Sequence, residues 1–176
     1  MSSSKFDPRR RIAIGFAGLS LLLMAGCQVR PLYSDGPSSA PATALASIGI
    51  SEAKDRVEQR VRNALIFLTS GGKGEPTAPQ YQLALSVSHQ TTGVLFDERN
   101  DNDTASAGRL VIEADYNLTR VDTGKTVKSG HRKAVALVDF PIQEFAKLRA
   151  IRDAENRAAR ELAEVIRADL AAALGN

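Results

Sequence analysis

The chain has 176 residues, with 23 Lys and Arg against 20 Asp and Glu and a formal charge of +3. Lys5, Arg9, Arg10 and Arg11 are offset only by Asp7 at the start, so positions 27–176 carry 19 charges of each sign, and the basic surplus gives no support to nucleic-acid binding. A single cysteine excludes an internal disulfide, and His89 and His131 are the only histidines, which leaves little for a triad or a His/Cys metal centre.

The four basic residues precede an apolar run over 12–24 that is too short to span a bilayer and ends on Leu23-Met24-Ala25-Gly26-Cys27. The pattern resembles a bacterial lipoprotein signal with its lipobox. Residues 1–26 are therefore expected to be removed and Cys27 to be lipidated, with diacylglycerol and further palmitate-type chains. Acyl chains contribute about 0.8 kcal/mol per buried methylene, so two or three hold a domain at a membrane. Position 28 is Gln and not the Asp that resembles an inner-membrane retention signal, which favours the periplasmic side of the outer membrane.

Over 34–46 the composition turns to Ser, Pro, Ala and Gly, which cannot bury a core. Residues 27–45 are read as the lipidated N-terminus and an extended, flexible tether, and 46–176 as one α+β domain. A short strand is expected over 46–50, then Ser51 as an N-cap and a helix with Val57, Val61, Ala64, Leu65 and Leu68 on one face, stopped by Gly71-Gly72. Tyr81, Leu83, Leu85 and Val87 alternate with polar residues in a strand that runs towards Phe96. Leu110, Ile112, Ala114, Tyr116 and Leu118 repeat that period, and a turn at Asp122-Thr123-Gly124 leads to a third long strand over 126–138. Asp139 and Pro141 introduce a final helix over 143–173 with Leu148, Ile151, Ala154, Ala158, Leu162, Val165 and Ile166 as its apolar stripe. Its other face spaces opposite charges four apart, Arg149 with Asp153, Asp153 with Arg157, Arg157 with Glu161 and Arg160 with Glu164. Strands and terminal helix of similar length predict two helices packed on one face of an elongated, mostly antiparallel four-stranded sheet in the order β-α-β-β-β-α.

Several segments together resemble the alphaproteobacterial lipopolysaccharide-assembly lipoproteins of the LptE family. These are Cys27-Gln28-Val29-Arg30-Pro31-Leu32-Tyr33, Gly108-Arg109-Leu110, Ala114-Asp115-Tyr116-Asn117-Leu118, the hairpin Gly124, and Asp153-Ala154 and Arg157-Ala158-Ala159 in an alanine-rich terminal helix. The resemblance implies a plug inside the LptD outer-membrane β-barrel that helps it assemble and assists lipopolysaccharide delivery to the outer leaflet. It implies no catalytic residue, metal or cofactor. It also puts candidate lipopolysaccharide contacts at Arg99, between the first two long strands, and Lys147, after the last one. On the third long strand Lys128, Arg132 and Lys133 form a basic strip, and phosphate groups favour the bidentate arginine, Arg132. Charged loops and edges are more often solvated than ligand-binding.

The runner-up function is an auxiliary lipoprotein of an envelope lipid-transporting ABC system. A hydrolase has little to work with, since no Gly-x-Ser-x-Gly elbow exists and Glu113 and Asp115 are expected on opposite faces of one strand, unable to act as an acid/base pair. Asp97, Asp101 and Asp103 lack the glycine and distal glutamate of a calcium loop, and Gly71-Gly72-Lys73-Gly74 follows a helix where a phosphate loop would precede one.

Overall fold

A computed structural model describes residues 40–96 and 105–175; the signal segment, Cys27, Arg99 and Asp97, Asp101 and Asp103 lie outside them. In chain order the elements are α1 (Ala40–Ala46), β1 (Ile48–Ile50), α2 (Arg56–Ser70), β2 (Tyr81–Phe96), β3 (Ala105–Arg120), β4 (Thr126–Asp139) and α3 (Glu144–Leu174). The four strands lie side by side in the order β1-β2-β3-β4, with β1 parallel to β2 and the other neighbours antiparallel. The α+β architecture expected from the sequence is the one the chain adopts, with α1 in addition.

The strand period decides which face is dry. Leu83 and Leu85 on β2, Leu110, Ile112, Ala114, Tyr116 and Leu118 on β3, and Ala134, Ala136 and Val138 on β4 are buried under the helices. Val57, Val61 and Leu65 of α2 and Ala154, Ala158, Leu162, Ile166 and Leu170 of α3 close that core. The alternate residues, among them Ser86, Ser88, Asp115, His131 and Lys133, are exposed on a second sheet face that no helix among the described residues covers.

Several local readings change. Where composition predicts an extended tether, residues 40–46 form a helix: Pro41 sits in the first turn, where its missing N–H costs nothing, and Leu45 is buried in the core. Ser51 does not cap α2. Asp55 does, accepting from the amides of Val57 and Glu58 at 2.8 and 2.9 Å, while Glu58 reaches back to the amide of Lys54, the residue before the cap, at 3.0 Å. Asp139 ends β4, and Gln143 precedes α3 without a side-chain cap. Leu148 and Val165 turn away from the core; Ala159, Ala163 and Ala171 take the buried positions and let α3 lie close to the sheet. Of the charge pairs expected along α3, Asp153 with Arg157 forms. Gly71, at φ 61°, terminates α2, and Gly124, at φ 65°, closes the β3–β4 hairpin with its N–H on the Arg120 carbonyl at 2.8 Å.

Candidate functional site

β2, β3, β4 and α3 share one end of the sheet. Phe96 pairs with Ala105 there, and the Phe140 amide donates to the Ser106 carbonyl at 2.8 Å as the chain leaves β4 for α3. The Phe140 ring lies on Gly108, where a Cβ would overlap it, so the glycine of the Gly-Arg-Leu segment is a seat for an aromatic ring. Lys147, on the first turn of α3, carries its ammonium 5.3 Å from the Phe140 ring centroid and 3.9 Å from the Glu144 carboxylate. Arg149 lies 5.5 Å from the Phe145 ring centroid. On the α3 side of this end Ile142, Phe145 and Leu148 are exposed, Ile142 completely. The end of the sheet thus mixes positive charge with apolar surface.

Arg132 belongs to a different place. It faces the helices, and its guanidinium binds Asp169 of α3 through Nε at 2.7 Å and Nη2 at 3.0 Å. Tyr116 donates its hydroxyl to the same carboxylate at 2.6 Å, above Gly130, whose missing Cβ leaves room for the phenol. Burial and then the hydrogen bond to Asp169 push the Tyr116 phenol well above its ordinary range. For Asp169, burial acts upward, but the hydrogen bonds from Tyr116 and Arg132 and the charges of Arg132 and Lys128 outweigh it and hold the carboxyl below its usual value. Chemically this is a tie between helix and sheet, with its arginine already occupied. Arg132 pairs with Ala114, whereas Phe140 meets Ser106, so the Arg132 and Lys147 regions are roughly 25 Å apart along the strands.

The expected basic strip is divided by the pleat: Lys128 and Arg132 lie on the helix side, and Lys133 lies on the open face. Glu113 and Asp115, two apart, share that open face and do not sit on opposite ones. Neither is arranged as an acid/base pair, because Asp115 accepts His131 Nδ1 at 2.9 Å and Glu113 stands opposite Lys133 in the register. Among the described residues no three His, Cys, Asp or Glu groups converge to hold a metal ion.

The family model described as LptE, lipopolysaccharide-assembly, matches residues 42–170. The chain belongs to the LptE family.

The LptE match runs from α1 to the last turns of α3 and so includes Phe140, Lys147, Arg132 and Asp169. A crystal structure of a lipoprotein from Caulobacter crescentus is similar at a TM-score of 0.61 and 26% identity, covering 76% of this chain and 95% of that one. Rare lipoprotein B from Shewanella oneidensis gives a TM-score of 0.50 over 72% of this chain and 92% of its own, and at 14% identity that likeness shows the fold alone. No curated protein sequence matches the chain. Sequence reasoning reached Lys147 and missed the apolar groups beside it. The signal was available in Ile142, Phe145 and Leu148, large apolar residues spaced three apart ahead of the alanine-rich part of this LptE-type helix.

Proposed function

We propose that this LptE-family protein is an outer-membrane lipoprotein, anchored through Cys27, that seats inside an LptD-type β-barrel, helps it assemble and assists lipopolysaccharide delivery to the outer leaflet. The observation that carries this reading is the end of the sheet where Lys147 and Arg149 stand over aromatic rings beside exposed Ile142, Phe145 and Leu148. A phosphorylated, acylated glycolipid needs cations and apolar contacts side by side, and a domain that met only solvent would gain nothing from leaving these side chains uncovered. Arg99 falls between Phe96 and Ala105, which pair at this same end, and is assigned with Lys147 to the lipid phosphates. Arg132 takes a lesser part, since a phosphate there would compete with Asp169. The uncovered polar sheet face supports the barrel partnership, because its hydroxyls and interleaved charges suit a wet interface.

Affinity purification of tagged full-length protein from detergent-solubilised envelopes tests the reading. Stoichiometric recovery of a large β-barrel, with Lys147→Glu lowering the lipopolysaccharide that co-purifies while the barrel is retained, is the expected outcome. Recovery of an ABC transporter or its lipid shuttle in place of a barrel transfers the protein to an auxiliary role in that system.

A further inference from the structure

The edges of the sheet are treated unequally. On β4 the outward carbonyls of His131 and Leu137 accept hydrogen bonds from the Arg132 and Arg157 guanidinium groups at 3.0 and 2.9 Å, and Lys128 and Lys133 add charge to the strand. On β1 the Ile50 amide donates to Glu75 at 2.9 Å, and Arg62 donates to the Ser51 carbonyl at 2.9 Å. Charged side chains at these positions are a recognised defence against pairing with another strand.

β2 has no such defence beyond the reach of β1. The parallel ladder ends with the Ser51 amide on the Leu83 carbonyl at 3.0 Å, and the Ser51 hydroxyl then accepts from the Leu85 amide at 3.0 Å. The backbone groups that face outward on this side therefore belong to odd-numbered residues, and the period of two extends them to Val87, His89, Thr91 and Gly93. Among the described residues nothing pairs with this outward edge. Residues 87–93, Val-Ser-His-Gln-Thr-Thr-Gly, contain no Lys, Arg, Asp, Glu or Pro. They combine strand-forming side chains with an open row of donors and acceptors.

The limits of this window are symmetric. Ser51 blocks the edge at Leu85, five residues before Gln90, and the register break that bends β2 reaches Leu95, five residues after it. We infer that the β2 edge is a contact between two copies of this chain, paired antiparallel about a two-fold axis through Gln90. In that register Val87 meets Gly93 and His89 meets Thr91 of the other copy, which uses the outward groups of all four residues. Ser88 stands opposite Thr92 and Gln90 opposite Gln90, uncharged polar pairs that bring no like charges together. Each strand then bends away where the other copy's Ser51 closes its own ladder. A contact of this length falls well short of the roughly 800 Å² per partner of a standard interface, so the association is reversible and concentration-dependent.

The test is sedimentation of the full chain in detergent micelles over a wide concentration range, with Gln90→Lys, Gln90→Glu and their equimolar mixture. The wild type is expected to form a dimer. Each charge variant alone is expected to dimerise roughly fivefold more weakly, because identical charges then face each other across the axis, and the mixture to recover because opposite charges do. Val135→Lys, in the same cross-strand row but towards the guarded β4 edge, is expected to dimerise as the wild type does. A wild type that stays monomeric, charge variants that associate normally, or a mixture that fails to recover overturns the proposal.

Discussion

The Tyr116 hydroxyl and the Asp169 carboxylate meet at 2.6 Å across the boundary between the middle of the sheet and the last third of the terminal helix. They join a strand residue to a helix residue 53 positions away. Removing the phenolic oxygen by Tyr116→Phe keeps the ring and deletes the bond. A loss of about 1–2 kcal/mol is expected, read from urea unfolding with an unchanged m-value.

The same pair gives stability a pH dependence of known sign. The folded-state pKa of Asp169 is lowered, so its contribution is fully present above the unfolded value near 4 and is lost as pH falls through the folded value. The difference in unfolding free energy between wild type and Asp169→Asn is therefore expected to be constant from about pH 7 to pH 5 and to shrink below about pH 4. A difference that grows on acidification contradicts the assignment. Tyr116 acts at the other end of the scale: its raised pKa makes its contribution present below about pH 10 and lost on further alkalinisation.

Gly108→Ala inserts a methyl where the Phe140 ring lies. The ring must move, at a cost of about 1–3 kcal/mol, and Lys147 loses the surface over which its ammonium is held. Thermal unfolding is expected to report the first effect and reduced retention of lipopolysaccharide the second. Phe140→Leu separates the two, since it relieves the clash without restoring the aromatic face.

Arg56 and Glu155 form an ion pair between the start of α2 and the buried side of α3, with His89 Nε2 4.0 Å from the same carboxylate. Arg56→Ala leaves the carboxylate of Glu155, whose side chain is only 11% exposed, without its cation, and a loss of about 1–3 kcal/mol is expected. Adding Glu155→Gln to that variant is expected to restore part of the loss, because the stranded charge disappears. A double-mutant cycle measures this, and simple additivity excludes the coupling.

Much of the architecture was legible because periodicity is a strong signal in this chain. The alternation of Leu110, Ile112, Ala114, Tyr116 and Leu118 fixes the dry face of β3, and Gly71 and Gly124 mark real chain reversals. Errors arose where two local devices competed. Ser51 has the right residue type for a cap, but Asp55 accepts from the Val57 and Glu58 amides while Glu58 reaches back to Lys54, and the spacing Asp-Arg-Val-Glu marks this helix start. Leu148 and Val165 fit the helical spacing of the α3 stripe yet stand exposed, while Ala159, Ala163 and Ala171 are buried, because close packing on a sheet favours alanine. At the candidate site Lys147 could be reached from sequence, but its seating on Phe140 over Gly108 could not, since that contact crosses from the strand end to β3. The engagement of Arg132 by Asp169 was hidden for a similar reason: 37 residues separate the two partners.

The strands lie in the sheet in the order in which they occur in the chain. After β1 and its crossover helix, each strand pairs with the one synthesised immediately before it, and the two long pairings are antiparallel. Each short connection leaves little loop-closure entropy to overcome, which keeps contact order low for a sheet protein. Such a chain can lay down its sheet progressively from its N-terminal side, with α3 docking last over the exposed apolar row. For a polypeptide that emerges in an extended form, this order allows the sheet to grow without waiting for the far end of the chain.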